Sequence, residues 1–96
     1  MNYDLIYSAQ AQADLARLPA GMLDLIEERM LDLAERPASL SRRSAFPYPT
    51  GFQIYQFFLA APFDNHHLTV FFRYSPSETE LHIAMTGHVE YHRPGE

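Results

Sequence analysis

The sequence predicts an α+β domain in which a two-helix hairpin packs on a small antiparallel sheet, in the order β-α-α-β-β-β. Two observations carry that expectation. Residues 52–92 contain three runs, FQIYQFFLA, LTVFFRYS and LHIAMTGHVEYH, rich in aromatic and β-branched residues that fit a pleated, half-buried surface. Between them lie APFDNHH and PSETE, whose Pro62, Asp64, Asn65, Pro76 and Ser77 supply turn geometry. Ahead of them, residues 9–36 carry apolar side chains at helical spacing, broken once by Pro19 and Gly21 and stopped by Pro37.

Each element follows from local chemistry. Tyr3, Leu5 and Tyr7 alternate and suggest a first short strand. Ser8 offers a hydroxyl to an orphan backbone N–H and so caps a helix over AQAQADLARL, with Ala11, Leu15 and Leu18 on one side. A second helix is expected over 22–36, with Leu23, Ile26, Met30 and Leu33 along one face. Asp24, Glu27, Glu28, Asp32 and Glu35 fall largely elsewhere, and Glu27 and Glu28 read as a solvated face. The residue before Pro37 is pushed out of helical geometry, which ends it. Residues 38–51, with Pro47 and Pro49, are expected to be irregular and to hold at most a short extended piece.

The last two runs define a hairpin. Leu68, Val70, Phe72 and Tyr74 form one row of the first, and Thr69, Phe71 and Arg73 the other. In the second, Leu81, Ile83 and Met85 are expected on the buried face, with His82, Ala84, Thr86 and His88 outward. Symmetric closure around 76–79 sets Arg73 opposite His82, Phe71 opposite Ala84 and Thr69 opposite Thr86. The aliphatic face is then what the helical hairpin covers. The tail after His88 is too short and too broken by Pro94 and Gly95 for a substantial helix.

Composition bounds the function. The 96 residues suffice for one domain, spanning 1–96. Cysteine is absent, which excludes disulfides and thiolate metal sites. No apolar run approaches the ~20 residues of a membrane helix, and MNYDLIYS lacks signal-peptide character, so a cytoplasmic location is expected. The net charge is −5 and all seven basic side chains are arginine, so no global field for nucleic acid exists. A local one remains open, because Arg42, Arg43, Arg73 and Arg93 all lie in the second half. Gly-rich phosphate loops, nucleophile elbows and paired-carboxylate signatures are missing. His88 and His92 have a chelating helical spacing, but Gly87 and Pro94 oppose a helix there; adjacent His66 and His67 diverge on an extended chain. No metal or other cofactor is expected.

The opening YDLIYSAQAQADLARL, the second helix closing on AERP, and the runs FQIYQFF, LTVFFRYS and LHIAMTGH together resemble the RelE/ParE superfamily of toxins from type II toxin–antitoxin systems. The resemblance implies one of two activities. RelE-like members are metal-independent mRNA endoribonucleases, commonly acting on the ribosome and so inhibiting translation, that drive a 2′-hydroxyl onto the adjacent phosphate. ParE-like members inhibit DNA gyrase without cutting RNA. Either is neutralised by a cognate antitoxin, and a non-toxic partner-binding module of the same fold is a third expectation.

Carried onto this chain, the pattern gives few cations. Where RelE-like ribonucleases often place lysine or arginine on the first meander strand, Gln53 and Tyr55 stand here. Where an arginine is common early in the next strand there is Thr69, with Arg73 farther along. His88 and Tyr91 match a strand-end basic residue followed by an aromatic. The resemblance therefore implies His88 as general acid or base, Arg73 as phosphate stabiliser and Tyr91 as orienting or stacking residue. Arg42, Arg43, Tyr55, His82, His92 and Arg93 are expected as weaker RNA or partner contacts.

Overall fold

The computed structural model describes residues 2–43 and 51–92. Strand β1 (Asp4–Tyr7) leads into α1 (Ala9–Ala16), α2 (Ala20–Glu35) and the single turn α3 (Pro37–Leu40). Strands β2 (Arg42–Arg43), β3 (Gln53–Phe58), β4 (His66–Tyr74) and β5 (Glu80–Glu90) follow. The sheet has five strands in the order β1-β5-β4-β3-β2. The meander β3–β4–β5 is antiparallel as expected, whereas β1 adds to the β5 edge in parallel, with Leu5 beside Leu81 and Tyr7 beside Ile83.

The punctuation read from the sequence acts as its chemistry requires. Ser8 has extended backbone angles, and its Oγ accepts the Ala11 N–H at 3.0 Å. Pro19 occupies the cap position of α2, so that helix starts two residues before the expected Met22 and carries Gly21 in its first turn. Arg36, forced out of the helical region ahead of Pro37, ends α2, and Pro37 then opens α3, where its missing N–H costs nothing.

Helix α2 buries Met22, Ile26, Met30 and Leu33 against one face of the sheet. That face supplies Tyr55 and Phe57 from β3, Leu68, Val70 and Phe72 from β4, and Leu81 and Ile83 from β5. Met22 takes the fully buried position and Leu23, expected there, packs at its margin. Glu27 and Glu28 are exposed. Among the described residues no helix is long and apolar enough to cross a membrane.

The β4–β5 register matches the expectation near the turn and departs from it midway. Arg73 faces His82 and Phe72 faces Ile83, but Phe71 then faces Met85 instead of Ala84, and Thr69 faces Gly87 instead of Thr86. Ala84 is the extra residue of a β-bulge. One inserted residue reverses the parity of everything beyond it. Met85 is therefore turned to the outer face, 40 % exposed, while Thr86, His88 and Glu90 turn to the helix face, level with Val70, Leu68 and His66.

Phe72 is completely buried at the centre of this arrangement. Phe72→Ala should cost about 3–5 kcal/mol of unfolding free energy, whereas Leu31→Ala, at a position 57 % exposed, should change it by under ~0.5 kcal/mol. Urea titrations of the two variants beside wild type check both figures.

Candidate functional site

The bulge brings two histidines together. With Leu68 opposite His88 and Glu90 opposite His66, both imidazoles stand on the helix side of the sheet end. His66 Nδ1 lies 2.7 Å from His88 Nε2, with ring planes 6° apart and centroids separated by 5.0 Å. A centroid separation so much larger than the nitrogen–nitrogen distance means the rings meet edge to edge in nearly one plane. One nitrogen donates its proton and the other accepts, in the order set by the tautomers. Two protons cannot occupy the same gap, so the second imidazole protonates only by breaking the bond. Burial pushes the His88 pKa below its ordinary 6.5, the charge of His66 adds to that depression, and Glu90 opposes it.

A cavity of about 540 Å³ opens beside the pair. Leu18, Met22 and Phe63 give it an apolar side, and Arg17, His66 and His88 a cationic or proton-exchanging side, with Asp14 and Glu90 also in the lining. Its size suits a nucleotide-scale ligand. The cavity sits where α1 gives way to α2, so neither helix covers the end of the sheet. Asp14 is already engaged: its Oδ2 accepts the Thr86 N–H at 3.0 Å, and its Oδ1 accepts a bond from Gln10 Nε2 at 2.7 Å.

The other expected site residues lie elsewhere. Arg73 is on the outer face, its guanidinium 4.2 Å from the centre of the Phe52 ring. Beside it His82 contacts Glu80 at 3.1 Å, and Arg73, His82 and Ile6 line a separate cavity of about 340 Å³. Tyr91 is half-exposed against Phe58, ring centres 5.9 Å apart, and Phe58 in turn meets His67 at 4.9 Å. Reciprocal bonds with Asn65 fix its backbone: the Tyr91 N–H donates to Asn65 O, and Asn65 Nδ2 donates to Tyr91 O. His88, Arg73 and Tyr91 therefore do not form one site, because the bulge places His88 on the opposite face from the other two.

Tyr55, expected as a contact residue, is 3 % exposed in the core; burial raises its hydroxyl pKa and Arg29 opposes the rise. Gln53, opposite Phe72, is half-buried, while Thr69 accepts a bond from Gln56 at 3.4 Å. Arg42 and Arg43 form an exposed edge strand, not a loop, and Arg42 Nη2 donates to Gln56 Oε1 at 2.7 Å. His92 is exposed just beyond β5, and Arg93 lies outside the described residues. Among the described residues no three His, Asp or Glu side chains cluster as a metal site. His66 and Arg17 carry no sequence signal for their place here. His66 does diverge from His67, but its pairing with His88 exists only in the bulged register.

No family model and no curated relative matches the chain by sequence. Among solved structures it is similar to the toxin–antitoxin complex RelBE2 of Mycobacterium tuberculosis, with 18 % identity, a TM-score of 0.75 and 93 % of each chain covered. It is also similar to an E. coli RelE toxin mutant bound to a peptide of antitoxin RelB, with 13 % identity, a TM-score of 0.64 and 95 % and 87 % coverage. The intact E. coli RelBE complex gives 13 % identity, a TM-score of 0.60 and coverage of 95 % and 99 %. The fold is the RelE toxin fold that the sequence resemblance implied.

Because His88 is held below 6.5 in the fold, the unfolded chain binds more protons as acidity rises. Its contribution to stability is fully present above 6.5 and is lost as pH falls below that value. Thermal melting followed from pH 7.5 to 5.0 should fall less steeply for His88→Gln than for wild type.

Proposed function

We propose that this chain is the toxin of a type II toxin–antitoxin pair, a metal-independent endoribonuclease whose acid–base groups are His88 and His66. The observation that carries the toxin reading is the fold match over nearly the full length of both chains. What supports the chemistry is the hydrogen-bonded imidazole pair at the mouth of a nucleotide-sized cavity.

Cleavage of an RNA phosphodiester by its own 2′-hydroxyl needs one group to take that proton and another to supply one to the departing 5′-oxygen. A singly protonated imidazole pair supplies both forms once the bound phosphodiester parts the rings, because in the closed pair the neutral ring's only lone-pair nitrogen accepts its partner's N–H. The neutral ring accepts the 2′-hydroxyl proton as the oxygen bonds to phosphorus. The charged ring protonates the 5′-oxygen as its bond to phosphorus breaks, leaving a 2′,3′-cyclic phosphate and a 5′-hydroxyl. Such acid–base assistance is worth roughly 10²–10⁴-fold in rate. Arg17, in the lining of the same cavity, is the cation available to the phosphate. The pair remains held in check by a cognate antitoxin, the kind of partner the RelE neighbours carry.

A second reading, a ParE-like inhibitor of DNA gyrase, is favoured by the −5 charge, the absence of lysine, and the exposure of Phe58, Val89 and Tyr91 on the outer face. One experiment separates the two. The chain is induced in a bacterial cell as wild type, His66→Ala, His88→Ala and Arg73→Ala, and transcript 5′ ends are mapped. New ends inside mRNAs should appear for wild type and Arg73→Ala and fall about 10²-fold for either histidine variant. Undiminished cleavage by His88→Ala removes the acid–base assignment. Growth arrest without new ends moves the function to a protein target, and no arrest leaves a partner-binding domain.

A further inference from the structure

We infer that Asp14 of the first helix and Ser8 at its cap are positioning residues: they clamp the β5 bulge and thereby aim His88 at His66. Its relevance to RNA cleavage rests on the function proposed above; the structural inference does not.

The parallel ladder between β1 and β5 ends with Tyr7 beside Ile83, and the Ser8 N–H adds one last bond to Ile83 O at 2.9 Å. Beyond that point β5 has no strand neighbour on this side, yet two of its backbone groups are satisfied by side chains of the helix that follows β1. Ser8 Oγ donates to Ala84 O at 2.6 Å, while accepting the Ala11 N–H as helix cap. Asp14 Oδ2 accepts the Thr86 N–H at 3.0 Å, a charge-assisted bond, and Gln10 one turn earlier holds its other oxygen. The two bonds grip β5 on either side of Met85, within and just beyond the doubled position Ala84–Met85.

The competing register shows why a clamp is needed. Without the bulge, Ala84 faces Phe71, Met85 turns inward against the core, Thr86 faces Thr69, and His88 turns outward beside His67. That register buries the now-exposed Met85 and follows the strict alternation of a strand. Apolar burial thus favours the regular strand, and the bonds from Ser8 and Asp14 are what the bulged form has in exchange. The groups that then face the imidazole pair are Asp14 and Arg17 from α1, His66 from β4 and Glu90 from β5.

The test reads the imidazoles directly. In wild type, side-chain ¹⁵N and ¹H NMR should show one proton shared between His66 and His88 and a coupled titration of the two rings. Asp14→Ala should speed hydrogen exchange at the Thr86 amide at least tenfold, abolish the shared-proton signal and let the rings titrate independently. Asp14→Asn, which keeps an acceptor oxygen, should stay near wild type. Ser8→Gly, which retains a serviceable helix cap but lacks the hydroxyl, should uncouple the rings as Asp14→Ala does, and it serves if Asp14→Ala fails to fold. Deleting Ala84 in either variant should restore the coupling, because a regular strand then points His88 inward with no clamp.

Folded Asp14→Ala and Ser8→Gly proteins that both keep the shared proton and wild-type titration overturn the inference, as does failure of the Ala84 deletion to restore them. If the rings uncouple as expected but wild type cuts no RNA, the positioning role stands and the ribonuclease reading falls.

Discussion

The parity of β5 is the constraint on which the rest of the molecule depends. Side chains on a strand alternate, so whatever fixes one residue's face fixes the whole run until the chain is interrupted. From Leu81 to Ile83 the strand lays its apolar row into the core below α2. The extra residue at Ala84 then inverts the assignment, and the inward row becomes Thr86, His88 and Glu90. A polar row facing a helix layer is costly if buried dry. It is tolerated here because α1 stops at Ala16 and α2 starts at Ala20, leaving the sheet end beneath an open cavity. The bulge and the gap between the helices are therefore complementary: one turns polar groups inward, the other gives them solvent.

The outer face follows from the same inversion. With Met85 and Val89 turned out on the face that also carries Phe58 and Tyr91, this side of the sheet has partly exposed apolar residues, with Arg42 and Arg73 as cations. Exposed aromatic surface of this kind is unusual without a contact to make. The acids of α2, by contrast, lie on the helix surface, Glu27 and Glu28 among them.

What was legible in the sequence was what local chemistry decides. Ser8, Pro19 and Pro37 act within a turn or two of themselves, so the helix limits could be read to within two residues. The pairing of Arg73 with His82 lies three residues from the turn and follows from how that turn closes. Beyond Phe72 the register depends on hydrogen bonds from Ser8 and Asp14, 76 and 72 residues away in sequence, and no pattern in β5 announces them. The expected trio of His88, Arg73 and Tyr91 failed in part for that reason, and in part because Arg73, opposite His82, lies six residues along β5 from His88. The parallel placement of β1 and the partnership of His66 with His88 are likewise tertiary facts.

The charge of the cavity sets how it can hold a polyanion. Arg17 and an imidazole pair that takes one extra proton face Glu90 and an Asp14 whose charge is spent on the Thr86 amide. That balance is close to neutral. Little affinity for RNA can then come from releasing counterions, which in a basic groove supplies most of the binding and makes it steeply salt-dependent. A site of this composition must rely on shape, on the apolar wall of Leu18, Met22 and Phe63, and on the fixed geometry of two rings in one plane. The same bulge that sacrifices the burial of Met85 provides that alignment, so stability yielded at one residue of β5 reappears as order at another.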